Sequence, residues 1–265
     1  MKKVVVVIGI FLFVFVAVCV YYYYRWQHLW EVEPTHASYP IREAGKDTLR
    51  VVMIGDSWAA LHSDMQMDSF LQKRLQEHLS KPVVVRSQGH GGEKSKGIYQ
   101  LMFLSEGYGT KPLLQSGAHY CILSAGINDA AANLGTKQYC AHYLKILNFL
   151  LEHGIRPVVF EIPDVDIKGL YSQKNKKDLL ADYVKSVMTH CDRYDFSNYR
   201  KALSSMLDEM NLRDKVLYIP LKEWYGDSAE MNRALFMQDG IHLNRTGYEM
   251  LDAGIATAIL RDLGE

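Results

Sequence analysis

From residue 49 onward the chain alternates short apolar runs with longer amphipathic stretches, and that alternation leaves few folds open. Residues 49–54, 82–85, 118–124, 156–162 and 215–219 read as strands. Residues 59–79, 136–153 and 246–263 carry apolar side chains at helical spacing, and 177–210 holds one or two further helices. Apolar strands separated by amphipathic helices imply a parallel sheet with both faces covered. In such a sheet, ligands bind where the chain leaves the carboxyl ends of the strands. Any residue with a chemical role is therefore expected in the turns that follow strands.

The N-terminus obeys a different rule. Residues 4–24 contain no charge over 21 positions, which at about 1.5 Å per residue spans a hydrocarbon core of about 30 Å. Lys2 and Lys3 precede this run, and Arg25, His28, Glu31 and Glu33 follow it. The lysines favour a cytoplasmic N-terminus with the rest of the chain outside, on the periplasmic or cell-surface side. Tyr21 to Tyr24 and Trp26 suit a membrane interface. A cleaved signal peptide would have a shorter apolar core and a small-residue cleavage site. A lipid-modified Cys19 would want a small residue where Val18 stands. The segment reads as an uncleaved anchor over 1–25, followed by a tether over 26–47 with Pro34 and Pro40, and a single domain over 48–265.

Charge excludes one class of partner. Thirty Lys and Arg balance thirty Asp and Glu, so nothing draws the chain to nucleic acid. The four cysteines match no zinc signature. Cys121 reads as a buried small hydrophobe, and Cys140 and Cys191 can pair if the domain meets an oxidising compartment. No cofactor is expected.

Four turns carry the chemistry. Gly55-Asp56-Ser57 follows the first strand at once, which places a hydroxyl at its carboxyl end. By itself this reads more readily as a helix N-cap than as a nucleophile. Asp239-Gly240-Ile241-His242 precedes the last helix, and an Asp three residues before a His can orient the imidazole as a general base. Gly126-Ile127-Asn128-Asp129 follows the third strand, and an Asn amide can donate to a developing oxyanion. Ser87-Gln88-Gly89-His90-Gly91-Gly92 follows the second strand, where glycines let a backbone N–H approach a reacting oxygen. Each segment alone is an ordinary turn. Jointly they supply nucleophile, base, orienting acid and oxyanion donors along one sheet edge. His90 lies near this constellation; His62, His78, His142 and His153 fit helix surfaces or edges, and His119 reads as structural.

In this order and over nearly the whole domain, the four blocks resemble the SGNH (GDSL-type) hydrolase family. The resemblance implies a flavodoxin-like three-layer α/β/α sandwich on a five-stranded parallel sheet. It implies Ser57 as nucleophile, His242 as base and Asp239 as its partner. The oxyanion hole would comprise the Ser57 and Gly92 backbone N–H groups and the Asn128 side chain, with Gly89 and Gly91 as the alternatives to Gly92. Two departures stand out. Ser87 occupies a position where the family often has Asn, and Trp58 replaces a small or polar residue after the nucleophile, which would alter the acyl pocket. The expected activity is hydrolysis of an ester, an O-acetyl group on an envelope or capsular glycan. The alternatives are lipid or lysophospholipid hydrolysis, acyl transfer between glycans, and a non-catalytic glycan-binding module. Residues 107–114 and 164–176 are expected to shape the substrate cleft.

Overall fold

Strand β1 (Leu49–Gly55) lies one strand in from the edge of a sheet that it organises. Leu49 and Val51 to Ile54 are all buried, with Arg50 alone less covered; the run from Val51 is the apolar pattern of a strand covered on both faces. The computed structural model describes residues 2–29, 39–165, 176–191 and 195–265. In it β1 pairs in parallel with β2 (Val83–Gly89) on one side and with β3 (Tyr120–Ser124) on the other. Next come β4 (Arg156–Phe160) and β5 (Leu217–Ile219), giving the order β2-β1-β3-β4-β5, parallel throughout. The edge strand β2 alternates instead, with Val83, Val85 and Ser87 buried and Arg86 exposed.

The registers align the ends of β1, β2 and β3, after which three of the four blocks sit. Gly55 lies opposite Gly89 on β2 and opposite Ser124 on β3. The approach is close: a Cβ on Gly55 would lie 2.1 Å from the Ser124 carbonyl oxygen, and one on Gly89 would lie 2.3 Å from that of Asp56. Both positions therefore exclude any side chain.

Helices cover the sheet on both faces. Helices α2 (Ser57–Asp64) and α3 (Met67–Gln76) pack with the C-terminal helix α11 (Arg245–Leu263). Helices α4 (Ser95–Leu101), α7 (Thr136–Glu152) and α9 (Phe196–Glu209) form a second group. Short helices α5 (Lys111–Gln115), α6 (Ile127–Ala131) and α10 (Ala229–Arg233) sit in the connections, and α8 (Lys176–Thr189) precedes α9. The expected three-layer α/β/α sandwich with five parallel strands is what forms.

Local deviations have local causes. The single helix expected over 59–79 is two helices, because Gln66 turns left-handed at φ 60°. Neither Gly nor Pro announces the break. It lets Asp68, in the first turn of α3, reach the Ser87 N–H on β2 at 3.1 Å. Cys121 is buried as expected, whereas Cys140 and Cys191 are both free thiols.

The N-terminal helix α1 (Lys2–Leu29) is a unit by itself, and Ala37–Glu265 is the other. Within α1, Val4–Tyr24 has a mean hydropathy of 3.2, long and apolar enough to cross a membrane. The compact domain starts ahead of residue 48: Tyr39 is buried, donates a hydrogen bond to the Met102 carbonyl at 2.6 Å and packs at a tilt against Phe149. Residues 166–175 of the second expected cleft segment lie outside the described residues.

Candidate active site

Ser57 opens α2 immediately after β1, and Asp56 is the residue that caps the helix. Its carboxylate accepts the Trp58 N–H at 3.0 Å. The capping role thus falls to Asp56, which leaves the Ser57 hydroxyl free of the helix and half-buried at the strand end. Ser57 Oγ lies 2.9 Å from His242 Nε2. His242 Nδ1 lies 2.6 Å from Asp239 Oδ2. The other Asp239 oxygen accepts two backbone N–H groups, from Ile241 at 2.9 Å and from His242 at 3.0 Å. Burial alone would raise the Asp239 carboxyl. The His242 ring and these two N–H donors outweigh it and hold the group below the ordinary carboxylate range. Asp239 therefore faces the imidazole as an anion, the form that can stabilise an imidazolium.

The third block reaches the same place from β3. Asn128, near the start of α6, donates from Nδ2 to the Glu93 carbonyl at 2.9 Å and makes a long 3.4 Å contact with Asp56 Oδ2. Its neighbour Asp129 is wholly buried and accepts Ser95 N–H at 2.9 Å and Ser95 Oγ–H at 2.6 Å. Together Asn128 and Asp129 fasten the segment that follows Gly92. Gly92 itself is exposed at φ +79°, and a Cβ there would meet nothing within 4 Å. Gly91, the alternative, has no positive φ, and Gly89 is packed under the strand end. The left-handed backbone at Gly92 is the feature that calls for glycine for conformational reasons.

Sequence reasoning undervalued Asp56. It is buried, and besides the Trp58 N–H it accepts Ser124 Oγ–H at 2.7 Å. Burial lifts its carboxyl to about 6 against the pull of these donors. It links the turn that carries Ser57, β3 and Asn128. The signal was available in the Gly-Asp-Ser run, where it was read only as a cap.

Trp58 does not line an acyl pocket. Its side chain is fully buried, with the indole ring 6.2 Å from that of Phe160 and nearly parallel to it. The alteration of the pocket expected at this position is therefore corrected: the larger ring points into the protein.

Two aromatic features accompany the second and fourth blocks. On the Gly92 side, His90 stacks on the exposed Tyr108 at 4.1 Å between centroids, and His90 Nδ1 lies 2.9 Å from Glu93 Oε1. Gln88, at the end of β2, holds that rim by donating to the Gly109 carbonyl at 2.8 Å. A groove of about 560 Å³ reaches Gly240 in the 239–242 turn, with Tyr225, Asn232, Arg233, Phe236 and Gln238 among its walls. No cluster of metal-binding side chains occurs among the described residues.

A three-layer sandwich carrying a Ser–His–Asp chain at the carboxyl edge of its sheet defines an α/β acylhydrolase. The model of the GDSL-like lipase/acylhydrolase family matches residues 53–250, and the chain belongs to that family. Its fold is similar to the lipase/acylhydrolase from Enterococcus faecalis, at 15% identity and TM-score 0.56, covering 81% of this chain and 96% of that one. It is also similar to TesA (17% identity, TM-score 0.54, 81% and 99% covered). A third neighbour is the acetyl xylan esterase AlAXEase (14%, 0.54, 81% and 100%). No curated protein matches the chain by sequence.

Proposed function

We propose that the protein is a serine esterase that removes O-acetyl groups from envelope or capsular glycans through an acyl-enzyme. The observation that carries the hydrolytic part is the continuous contact chain Ser57 Oγ–His242 Nε2 and His242 Nδ1–Asp239 Oδ2. In this reading His242 takes the Ser57 proton as Oγ attacks the ester carbonyl, and the C–O bond to the leaving alcohol breaks as His242 returns that proton to it. Water then adds to the acyl-serine by the same route and releases the acid. The negative oxygen of each tetrahedral intermediate would be held by the Ser57 and Gly92 N–H groups and by Asn128 Nδ2. The long contact from Asn128 to Asp56 is weak and can yield its hydrogen to the oxyanion.

The glycan assignment draws on the groove next to the 239–242 turn. Tyr225 and Phe236 offer aromatic faces, Asn232 and Gln238 offer amides, and Arg233 and Asp164 add one charge of each sign. Such a mixture of aromatic and polar groups fits a polyhydroxylated ligand. The acetyl specificity is carried over from a fold neighbour described as an acetyl xylan esterase, an argument by analogy. Anchoring through Val4–Tyr24, with the domain on the extracytoplasmic side, would hold the enzyme where such glycans lie.

One observation favours a second reading. Leu180, Tyr183, Val184 and Val187 make an exposed apolar stripe along α8, which suits a lipid substrate better than a glycan. The deciding measurement uses the full chain in detergent. Acetate released from acetylated polysaccharide is compared with fatty acid released from lysophospholipid, with Ser57→Ala as control. Acetate release that vanishes in the control supports the first reading. Fatty acid release alone supports the second. Acetyl groups appearing on an added glycan acceptor, with no free acetate, would replace hydrolysis by transfer. Failure of Ser57 to react with a fluorophosphonate would reduce the protein to a binding module.

A further inference from the structure

The loop that carries His242 is held together from within. Asp239 Oδ1 accepts the Ile241 and His242 N–H groups. Gly240 N–H reaches the Met237 carbonyl at 3.0 Å, and Met237 N–H reaches the His242 carbonyl at 2.7 Å. These bonds fix the shape of the turn. They do not fix where it stands relative to Ser57, because all their partners move with the turn. A rigid turn on a surface can still swing as a body, and a shift of about 1 Å at a reacting group can cost about a hundredfold in rate.

What joins the turn to the nucleophile is the residue beside the nucleophile. Trp58 Nε1–H donates to the Ile241 carbonyl at 3.1 Å, across 183 residues of chain. The Trp58 carbonyl in turn accepts the Tyr248 hydroxyl at 2.8 Å. Tyr248 lies in the second turn of α11, so Trp58 grips the base segment on both sides of His242. The indole itself has little freedom. It is fully buried, faces Phe160 at 6.2 Å and an interplanar angle of 11°, and meets Trp224 edge-on at 6.3 Å. Its third aromatic neighbour is Phe236, at 6.4 Å. Phe236 pairs antiparallel with Leu243, directly after the base.

We infer that Trp58 is a positioning residue that sets the distance between Ser57 and His242, with its indole N–H holding the Ile241 carbonyl. The inference rests on the reading of Ser57 and His242 as nucleophile and base. A smaller aliphatic residue here could fill part of the core, but it would leave the Ile241 carbonyl without this donor and the turn without this tie.

The test separates the indole N–H from the ring. The full chain in detergent is assayed with 4-nitrophenyl acetate. Trp58→Phe keeps an aromatic ring and removes the donor. Site-specific 3-benzothienylalanine at position 58 keeps the bicyclic shape with sulfur in place of N–H, and serves also if the phenylalanine variant does not fold. Either change is expected to lower kcat about tenfold with KM within about twofold, since the lost interaction acts on geometry rather than on binding. Reaction of Ser57 with a fluorophosphonate should slow in proportion. Combined with Asp239→Asn, which already loosens the imidazole, the loss should fall well short of the product of the two single losses. Combined with Asn128→Ala, which acts on the oxyanion, the losses should multiply. Undiminished kcat in the benzothienylalanine variant overturns the inference, as does full multiplication with Asp239→Asn. A purely structural role would lower the melting temperature and multiply with both partners. Ser57→Ala keeps the two claims apart. A loss in that variant far short of roughly 10⁵-fold overturns the site itself, whereas a loss of that size in Ser57→Ala beside an undiminished Trp58 variant overturns only the tie.

Discussion

His242 Nε2 stands 2.9 Å from Ser57 Oγ although 185 residues separate them in the chain. That contact is what a general base needs: hydrogen-bond reach to the proton it removes. Ser57→Ala and His242→Ala are each expected to lower kcat for an aryl acetate by roughly 10⁵- to 10⁶-fold, and Asp239→Asn by roughly 10⁴-fold, because members of such a unit do not act independently. The double variant Ser57→Ala/His242→Ala should then be no slower than either single one. Steady-state kinetics decide it. A double variant slower by the product of the two losses would mean that the residues do not work together.

In the proposed mechanism Asn128 acts at a different stage. Its Nδ2 is already pointed by the Glu93 carbonyl, so little reorganisation is needed when charge develops. Asn128→Ala is expected to cut kcat by about 10²- to 10³-fold with KM nearly unchanged, the usual consequence of losing one oxyanion donor. Asn128→Asp should be at least as damaging, since it places a carboxylate near Asp56. Full activity in Asn128→Ala would remove the side chain from the oxyanion hole.

The strand and helix alternation made the sheet legible, because β1 from Val51, β3 and β4 from Pro157 are buried on both faces and read there as apolar runs. The four turns were legible for a related reason. Each follows a strand or precedes a helix, and a parallel sheet brings such turns to one edge. What could not be read was side-chain direction over long sequence distances. Nothing near Trp58 in the sequence tells that its indole turns inward to Ile241. Nothing near His62 tells that it meets Asp252, because that contact depends on how α2 and α11 pack. The break at Gln66 was hidden too, since its left-handed turn serves Asp68, which bonds partners in α2 and β2. The short helices α4, α5, α6 and α10 were missed because segments this brief carry no clear periodicity.

His62 gives the fold a pH dependence of its own. It is fully buried, with Nε2 3.0 Å from Asp252 Oδ1 and Nδ1 2.9 Å from Asp68 Oδ1. Ser87 Oγ also lies 2.9 Å from Nδ1, and the Tyr248 ring packs edge-on against the imidazole. Burial alone would lower the His62 pKa, but the two carboxylates outweigh it and raise the imidazole to about 9. A folded-state value above the unfolded value of about 6.5 stabilises the fold fully below pH 6.5. That contribution is lost as pH rises through about 9. Urea unfolding of the full chain in detergent should therefore show stability falling between pH 6.5 and 9, by up to about 3 kcal/mol from this group. His62→Gln should be less stable at pH 6.5 and lose less over the same interval. Parallel pH curves for the two proteins would mean that His62 is neutral in the fold.

The glycines of the second block differ in what they demand, and that difference tests which of them serves the oxyanion. Gly89 has no room for a side chain, because a Cβ would lie 2.3 Å from the Asp56 carbonyl oxygen and 2.7 Å from that of Gly55. Gly89→Ala should push β2 away from the nucleophile turn and cost several kcal/mol, roughly the range of overpacking and backbone shifts at tight sites. Gly91 has open space and no positive φ, so Gly91→Ala should change neither stability nor kcat appreciably. Gly92 has open space as well, but sits at φ +79°. Alanine there costs about 1 to 2 kcal/mol of left-handed strain, which the chain can relieve by rotating the peptide that carries the Gly92 N–H. Gly92→Ala is thus expected to lower kcat by at least tenfold while the melting temperature falls only a few degrees, less than for Gly89→Ala. The discriminating result is the ratio of the two effects. Gly92→Ala should lose activity out of proportion to stability, and Gly91→Ala should lose neither. If Gly91→Ala is the variant that loses activity at unchanged stability, the oxyanion donor is the Gly91 N–H and the assignment moves by one residue.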